Sequence, residues 1–294
     1  MPLPLVEDLV ERISNADVLD KVAEPLANAV QKVVPHGPVK DALSGTWLGH
    51  PLHPMLTDVP IGAWTSAFML DIFGGKGARR AADSLVGFGV VSALPTAAAG
   101  LSDWSDLIGE ERRLGVVHAM GNVTALACYG VSYVARRRGQ RVRGLAWSFV
   151  GATAATVGGY LGGHLSYRRG VNVNRQAWEA APSEWMAVTG DSELASGAPV
   201  VVTAGGFDAM VVKRDDQISA IADVCSHAGG PLHEGEIDAA RCVTCPWHGS
   251  TFRLSDGGIV HGPATAPQPT YETKVDGNGK ISVRARQNPG QQSV

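Results

Sequence analysis

The sequence predicts a two-domain membrane protein, an all-α four-helix transmembrane bundle followed by a small all-β domain. Three observations carry this reading. Residues 114–135 and 144–167 contain no Asp, Glu, Lys or Arg, and each is long enough as a helix to cross a hydrocarbon layer of roughly 30 Å. After about Pro182 the character changes, and short β-rich runs at 200–202, 209–212 and 218–221 alternate with Gly and Asp turns. The mean hydropathy of the 294 residues is only +0.02, as expected when a very apolar half is averaged with a polar one. A net charge of -3 gives no basic surplus for gripping a phosphate backbone, so nucleic acid is excluded as a partner.

Residues 1–45 read as an amphipathic helical segment, because Val6, Leu9, Val10 and Ile13 recur at helical spacing. They do not read as a secretory signal: the first charges are Glu7 and Asp8, and no long apolar core follows. Residues 46–170 form the expected transmembrane domain. Its first two spans are weaker, 59–75 holding Asp71 and 84–102 broken by Pro95; the second two are the uncharged runs. None shows the polar stripe every 3.6 residues of a soluble helix. Gly158 with Gly162, and Gly159 with Gly163, have the four-residue spacing that lets helices approach in lipid. Lys76, Arg79 and Arg80, then Arg136, Arg137, Arg138, Arg141 and Arg143, gather in two connections, while Asp103, Asp106, Glu110 and Glu111 sit in the other. The positive-inside bias puts the Arg-rich turns in the cytoplasm and both termini outside a bacterial-type cell membrane. Asp71 reads as a solvated helix end. Residues 171–182 are a linker, 183–286 the β domain and 287–294 a polar tail.

The β domain holds Cys225-Ser-His227 and Cys245-Pro-Trp-His248. Two thiolates and two imidazoles suit either zinc or an iron–sulfur cluster in which two histidines replace two cysteines on one iron. A C-x-x-C pair, usual in zinc ribbons, occurs once, at Cys242 and Cys245; Cys242 reads as a buried strand residue and Cys128 as a packing residue. The flanking residues are more specific. The runs C-S-H-A-G-G-P-L-H-E-G at 225–235, C-P-W-H-G-S-T-F at 245–252 and G-P-A at 262–264 closely resemble the Rieske family, over nearly all of 183–286.

That resemblance implies a [2Fe-2S] cluster with Cys225 and Cys245 on one iron and His227 and His248 on the other, the imidazoles at the domain tip. Members from quinol-oxidising complexes carry two more cysteines that bridge the ligand loops, where this chain has Gly230 and Trp247. In that respect it looks like the ferredoxins that feed ring-hydroxylating oxygenases. Ser250 follows the quinol-oxidising branch, where its hydroxyl bonds a cluster sulfur and favours the reduced form; Phe252 replaces that branch's Tyr. An intermediate potential is expected within a family range of about -150 to +300 mV. Only 46 residues follow His248, too few for the catalytic domain of an oxygenase, so the expected role is electron transfer.

Four histidines, His50, His53, His118 and His164, are expected on one membrane face, the face that carries the β domain. Residues 50–62, H-P-L-H-P-M-L-T-D-V-P-I-G, with the helix pattern resemble the membrane family called domain of unknown function 2231, over roughly 45–168. Histidines at membrane depth are functional candidates. Two of His53, His118 and His164 are expected to bind haem b or to line a quinol pocket, His118 and His164 being the preferred haem pair. His36, His233 and His261 read as loop histidines. The expected function is membrane-anchored electron transfer between quinol or haem and a redox partner protein; the alternative is a ferredoxin on a passive anchor that serves a separate oxygenase or reductase.

Overall fold

The computed structural model describes residues 4–179, 181–204 and 206–286, and the expected tail at 287–294 lies outside them. Contacts divide the chain into a helical unit, residues up to 35 with 51–171, and a β unit, residues 36–50 with 172 onward. The N-terminal segment expected over 1–45 is thereby split: its last part joins the β unit.

In the helical unit, α1 (Pro4–Ser14) and α2 (Asp20–Val33) are amphipathic, and Ala23, Ala27 and Val30 bury one stripe of α2 at helical spacing. Four long helices follow: α4 (Leu52–Phe73), α5 (Arg79–Trp104), α6 (Gly109–Arg137) and α7 (Arg141–Tyr167), with the short α3 (Pro38–Ser44) preceding them in the other unit. The amphipathic stripes lie on these helices. Val10 packs with Leu114, Leu161 and Leu165, and Ala23 and Ala27 with Trp104 and Val116. Arg113 Nε and Nη2 donate to the Asp20 carboxylate at 2.7–3.0 Å, which fixes α2 to α6. Farther along, Trp64 stacks on Tyr129 at 4.1 Å between centroids. Gly89 makes that possible, since a Cβ there would lie 2.3 Å from Trp64 Nε1.

Of the four, α5 and α6 are long and apolar enough to cross a membrane, with mean hydropathy 1.6 and 1.4. The uncharged run of α7 does not reach that level, because Gly, Ala, Ser and Thr contribute little hydropathy even where charge is absent. Four spans are therefore not established. Only 28% of the apolar stretch of α5 and 33% of that of α6 is buried in the protein, unlike the core helices of a soluble bundle.

The β unit is antiparallel throughout its named pairings. β1 (Met186–Gly190), β2 (Pro199–Ala204), β3 (Phe207–Arg214), β4 (Gln217–Ala222), β9 (Thr270–Val275) and β10 (Lys280–Ala285) form one sheet in the order β1-β10-β9-β4-β3-β2. β5 (Glu236–Ile237), β6 (Cys242–Thr244), β7 (Thr251–Arg253) and β8 (Ile259–His261) form a second, in chain order. In β3, Ala209 and Val211 face one apolar cluster with Phe207, Tyr271 and Ile281, while Met210 and Val212 face another with Leu232, Val243 and Phe252. β3 is apolar on both faces because it separates two cores. Connections from β4 to β5, β6 to β7 and β8 to β9 leave the strands as three loops, and the second sheet holds them together.

Candidate metal centre and a second histidine pair

Two of those loops are built alike. In the first, Cys225 N–H donates to Gly230 O at 2.9 Å and Gly229 N–H to Cys225 O at 2.9 Å; in the second, Cys245 N–H donates to Ser250 O at 2.8 Å and Gly249 N–H to Cys245 O at 3.1 Å. Each bond spans the same number of residues in the two loops. The glycine four residues after each cysteine has a positive φ, 85° at Gly229 and 71° at Gly249, which an L side chain resists. This repeat was not legible beforehand, because the histidine falls two residues after one cysteine and three after the other.

The loops bring the four expected ligands together. Cys225 and Cys245 are buried and free of disulfide, and the proximity of the two thiols raises Cys225 and lowers Cys245. The His227 and His248 rings lie 5.1 Å apart, nearly perpendicular at 87°. Burial, then the adjacent His248, push His227 down to about 3, so its imidazole is neutral and its lone pair is available to a metal. Among the described residues no three His, Cys, Asp or Glu side chains surround one point. A pair of thiols beside a pair of imidazoles fits a two-metal cluster rather than one tetrahedral ion. A Cβ on Gly230 would stand 2.8 Å from Cys245 Sγ and 3.0 Å from Trp247 Cγ, so the positions that lack the bridging cysteines do face each other, and an indole fills the space.

The third loop braces the first two. Ala264 N–H donates to Ser250 Oγ at 3.0 Å. Fully buried Gln268 receives Ser226 N–H at 2.9 Å and donates to Ala222 O and Val224 O. Gln176 Nε2 also reaches Val224 O, at 2.5 Å. Sequence reasoning missed both glutamines, which look like surface residues until the loops converge. His233, expected as a loop histidine, donates Nδ1–H to buried Asp223 at 2.7 Å and so pins the end of the first ligand loop. Cys242 is buried in β6, and Cys128 packs at the Gly151 backbone of α7.

In the helical unit the histidines assemble differently from the expected pair. His118 stands beside His53, ring centroids 6.3 Å apart at 89°, and not beside His164, which occupies the last turn of α7 near Tyr160. His50 is exposed and belongs to the β unit. His53 Nδ1–H donates to Thr96 O at 2.9 Å and His118 Nδ1–H to Gly158 O at 2.7 Å; a carbonyl only accepts, which settles both tautomers. Asn122, one turn after His118, donates to its Nε2 at 3.1 Å. Gly100 and Gly162 make the room, since a Cβ would come within 2.5 Å of the His53 ring and 2.8 Å of the His118 ring. Gly158 and Gly162 thus face α6, whereas Gly159 meets nothing within 4 Å and Gly163 only Tyr167. The second glycine pair does not serve helix approach.

Asp71 is not a solvated helix end. Its side chain is 6% exposed and binds Arg136, itself fully buried, at 2.5 Å and Arg141 at 2.5 Å. Asp83, which the sequence reading passed over, joins both arginines at 3.0 and 3.2 Å. Helix approach placed acids and bases from separate connections in one network, where each charge is paired.

Family comparison agrees with this division. Residues 184–272 match the Rieske [2Fe-2S] domain and residues 49–175 the predicted membrane protein family DUF2231. The anthranilate 1,2-dioxygenase ferredoxin subunit of Burkholderia cepacia is 30% identical over 106 residues, 36% of this chain and 97% of that protein. Apoptosis-inducing factor 3 of Mus musculus is 30% identical over 93 residues, 32% of this chain, and the chain spans only 15% of its length. Among solved structures, the ferredoxin of carbazole 1,9a-dioxygenase from Nocardioides aromaticivorans IC177 is 30% identical, with 35% of this chain and all of that one covered and a TM-score of 0.34. The paired thiols and imidazoles on twin loops, together with the family match, place this chain in the Rieske [2Fe-2S] family, with its cluster domain joined to a DUF2231 predicted membrane protein domain.

Proposed function

We propose that the protein is a membrane-anchored electron carrier, in which the Rieske domain lies outside the cytoplasm and exchanges single electrons with a separate redox protein. The convergence of Cys225, Cys245, His227 and His248 on the twin loops carries this reading. The [2Fe-2S] cluster, when bound, supplies one-electron transfer. Cys225 and Cys245 would hold it as thiolates and half-buried His227 and His248 as neutral imidazoles. Ser250 Oγ accepts the Ala264 N–H, so its hydroxyl hydrogen would be available to the cluster. Near-complete coverage of a dioxygenase ferredoxin subunit supports a carrier that serves an oxygenase or reductase.

The four long helices span the bilayer in this reading, supported by the membrane family and by outward apolar side chains such as Phe88, Val91, Leu94, Val123 and Phe149. Lys76, Arg79, Arg80, Arg137, Arg138 and Arg143 mark the cytoplasmic end. Metal analysis with electron-resonance spectra of the detergent-purified protein tests the cluster: iron and a Rieske signal are expected, and zinc without visible absorbance would overturn it. Protease added to intact spheroplasts tests orientation: loss of the domain beyond Pro182 is expected, and protection until lysis would reverse it.

The His53–His118 pair favours a second reading, in which haem b or quinol delivers electrons within the helical unit. His53 keeps Nε2 as its acceptor atom, suited to a haem iron or a quinol hydroxyl. A low-spin haem band lost in His118→Ala, or quinol-dependent reduction of the cluster, supports it; a cluster-replete protein with neither leaves a passive anchor.

A further inference from the structure

The four long helices repeat one hairpin. The register that lays His53 of α4 on His118 of α6 also lays Trp64 on Tyr129 and Asp71 on Arg136. The register that lays Arg79, the first residue of α5, on Arg141, the first of α7, lays Gly89 on Gly151, Thr96 on Gly158 and Gly100 on Gly162. Contacts obey the same correspondence. His53 donates Nδ1–H to Thr96 O, and its ring fills the space a Cβ on Gly100 would take; His118 donates Nδ1–H to Gly158 O and fills that of Gly162. The larger rings occupy matching notches, Trp64 at Gly89 and Tyr129 at Gly151. Between the hairpins each of these α4 residues meets its own counterpart: His53 stands beside His118, Trp64 stacks on Tyr129, and Asp71 binds Arg136. Residues that contact their own equivalents lie on a two-fold axis. The hairpins α4–α5 and α6–α7 are therefore a fused pseudo-dimer, and the two imidazoles sit on its axis.

We propose that this axial pair is a haem-binding site, with His53 and His118 as equivalent ligands on opposite sides of one haem iron. The site rests on the second functional reading, electron delivery within the helical unit, and names haem as its ligand. Each Nδ1–H is held by a backbone carbonyl, the arrangement that orients a ligating histidine and leaves its Nε2 lone pair for a metal. Ring separation selects the geometry. A metal–nitrogen bond of about 2.0–2.1 Å places an imidazole centroid about 3.1 Å from the metal, so two rings on one ion stand about 5.1 Å apart at a tetrahedral angle and about 6.3 Å apart when opposite. The cluster pair has the first separation, 5.1 Å, and the helical pair the second, 6.3 Å. Two nitrogens on opposite sides of an iron leave its equatorial positions to the nitrogens of a porphyrin. Asn122 Nδ2, 3.1 Å from His118 Nε2, turns away when the iron binds, a rotation about its own side-chain bonds. When bound, the haem supplies a one-electron centre in the helical unit.

The test uses absorbance and electron resonance of the full detergent-purified chain, produced with a haem precursor supplied. One low-spin haem per chain is expected beside the Rieske signal. Because the two rings are perpendicular at 89°, its ferric signal should be the strongly anisotropic type that crossed axial imidazoles give, not the rhombic type of parallel ones. His53→Ala and His118→Ala should each abolish the low-spin band while the cluster signal persists, and His164→Ala should keep both. A band that survives either of the first two variants, or that depends on His164, overturns the assignment. Should both of those variants fail to accumulate, His53→Met decides: sulfur in place of one nitrogen should keep the haem low-spin and raise its potential, and an unchanged potential overturns the proposal. A cluster-loaded protein without haem also overturns it. Quinol-dependent reduction of that cluster would then leave the second reading standing with quinol as its ligand, and no such reduction would end both.

Discussion

The two units treat buried polar side chains in opposite ways. In the helical unit His53 and His118 each give Nδ1–H to a carbonyl of a neighbouring helix, Asn122 bonds the remaining nitrogen of His118, and Asp71, Asp83, Arg136 and Arg141 pair among themselves. In the β unit two thiols and two imidazoles are gathered on twin loops that backbone bonds hold in shape. Paired charges and hydrogen-bonded side chains stabilise a fold; thiols and neutral imidazoles gathered on neighbouring loops are suited to a metal ligand set. A nearly perpendicular histidine pair occurs in both units, so ring geometry alone does not separate structure from site.

The largest test of that contrast is removal of a thiolate. Cys225→Ala or Cys245→Ala should abolish the cluster, read as loss of iron and of the electron-resonance signal, with thermal unfolding of the helical unit unchanged; a normal signal in Cys245→Ala would sink the ligand assignment. Next in size is Arg136→Met, which removes one of the two guanidinium groups paired with the buried Asp71 carboxylate and leaves Arg141. It should destabilise the helical unit by about 3 kcal/mol in detergent unfolding while the Rieske signal persists. Ser250→Ala leaves the Ala264 N–H unsatisfied in a fully buried place, costing about 1–3 kcal/mol, and it should also lower the cluster potential. Smallest is Gly162→Ala, whose methyl would displace the His118 ring. It should leave the cluster and its potential intact and alter the absorbance spectrum only if haem is bound there, so a change in cluster potential would join what the contrast separates.

The Rieske match was legible in the sequence because metal chemistry demands particular residue types at short spacing: Cys225 and His227, like Cys245 and His248, each sit within one turn of chain. The amphipathic N-terminal helices were legible for a similar reason, since periodicity is local. Span strength was less so, because absence of charge in 144–167 was taken for hydropathy that Gly, Ala, Ser and Thr do not supply. Asp71 appeared solvated because its partners, Arg136 and Arg141, are distant in the chain, and the preferred haem pair failed because Gly100 and Gly162, not sequence distance, decide which rings meet.

By itself, then, the sequence determined what is written in short spacing and composition: the Rieske motifs, the helical half and the β half. The tertiary structure decided which distant residues share a surface. Only there do residues 36–50 leave the N-terminal helices and lie on the cluster loops, with Asp41 bonded to Gly262 and Thr46 to Ala264. The physical reason is that burial and Coulomb interaction depend on distance through space, and no local pattern in a chain records that distance.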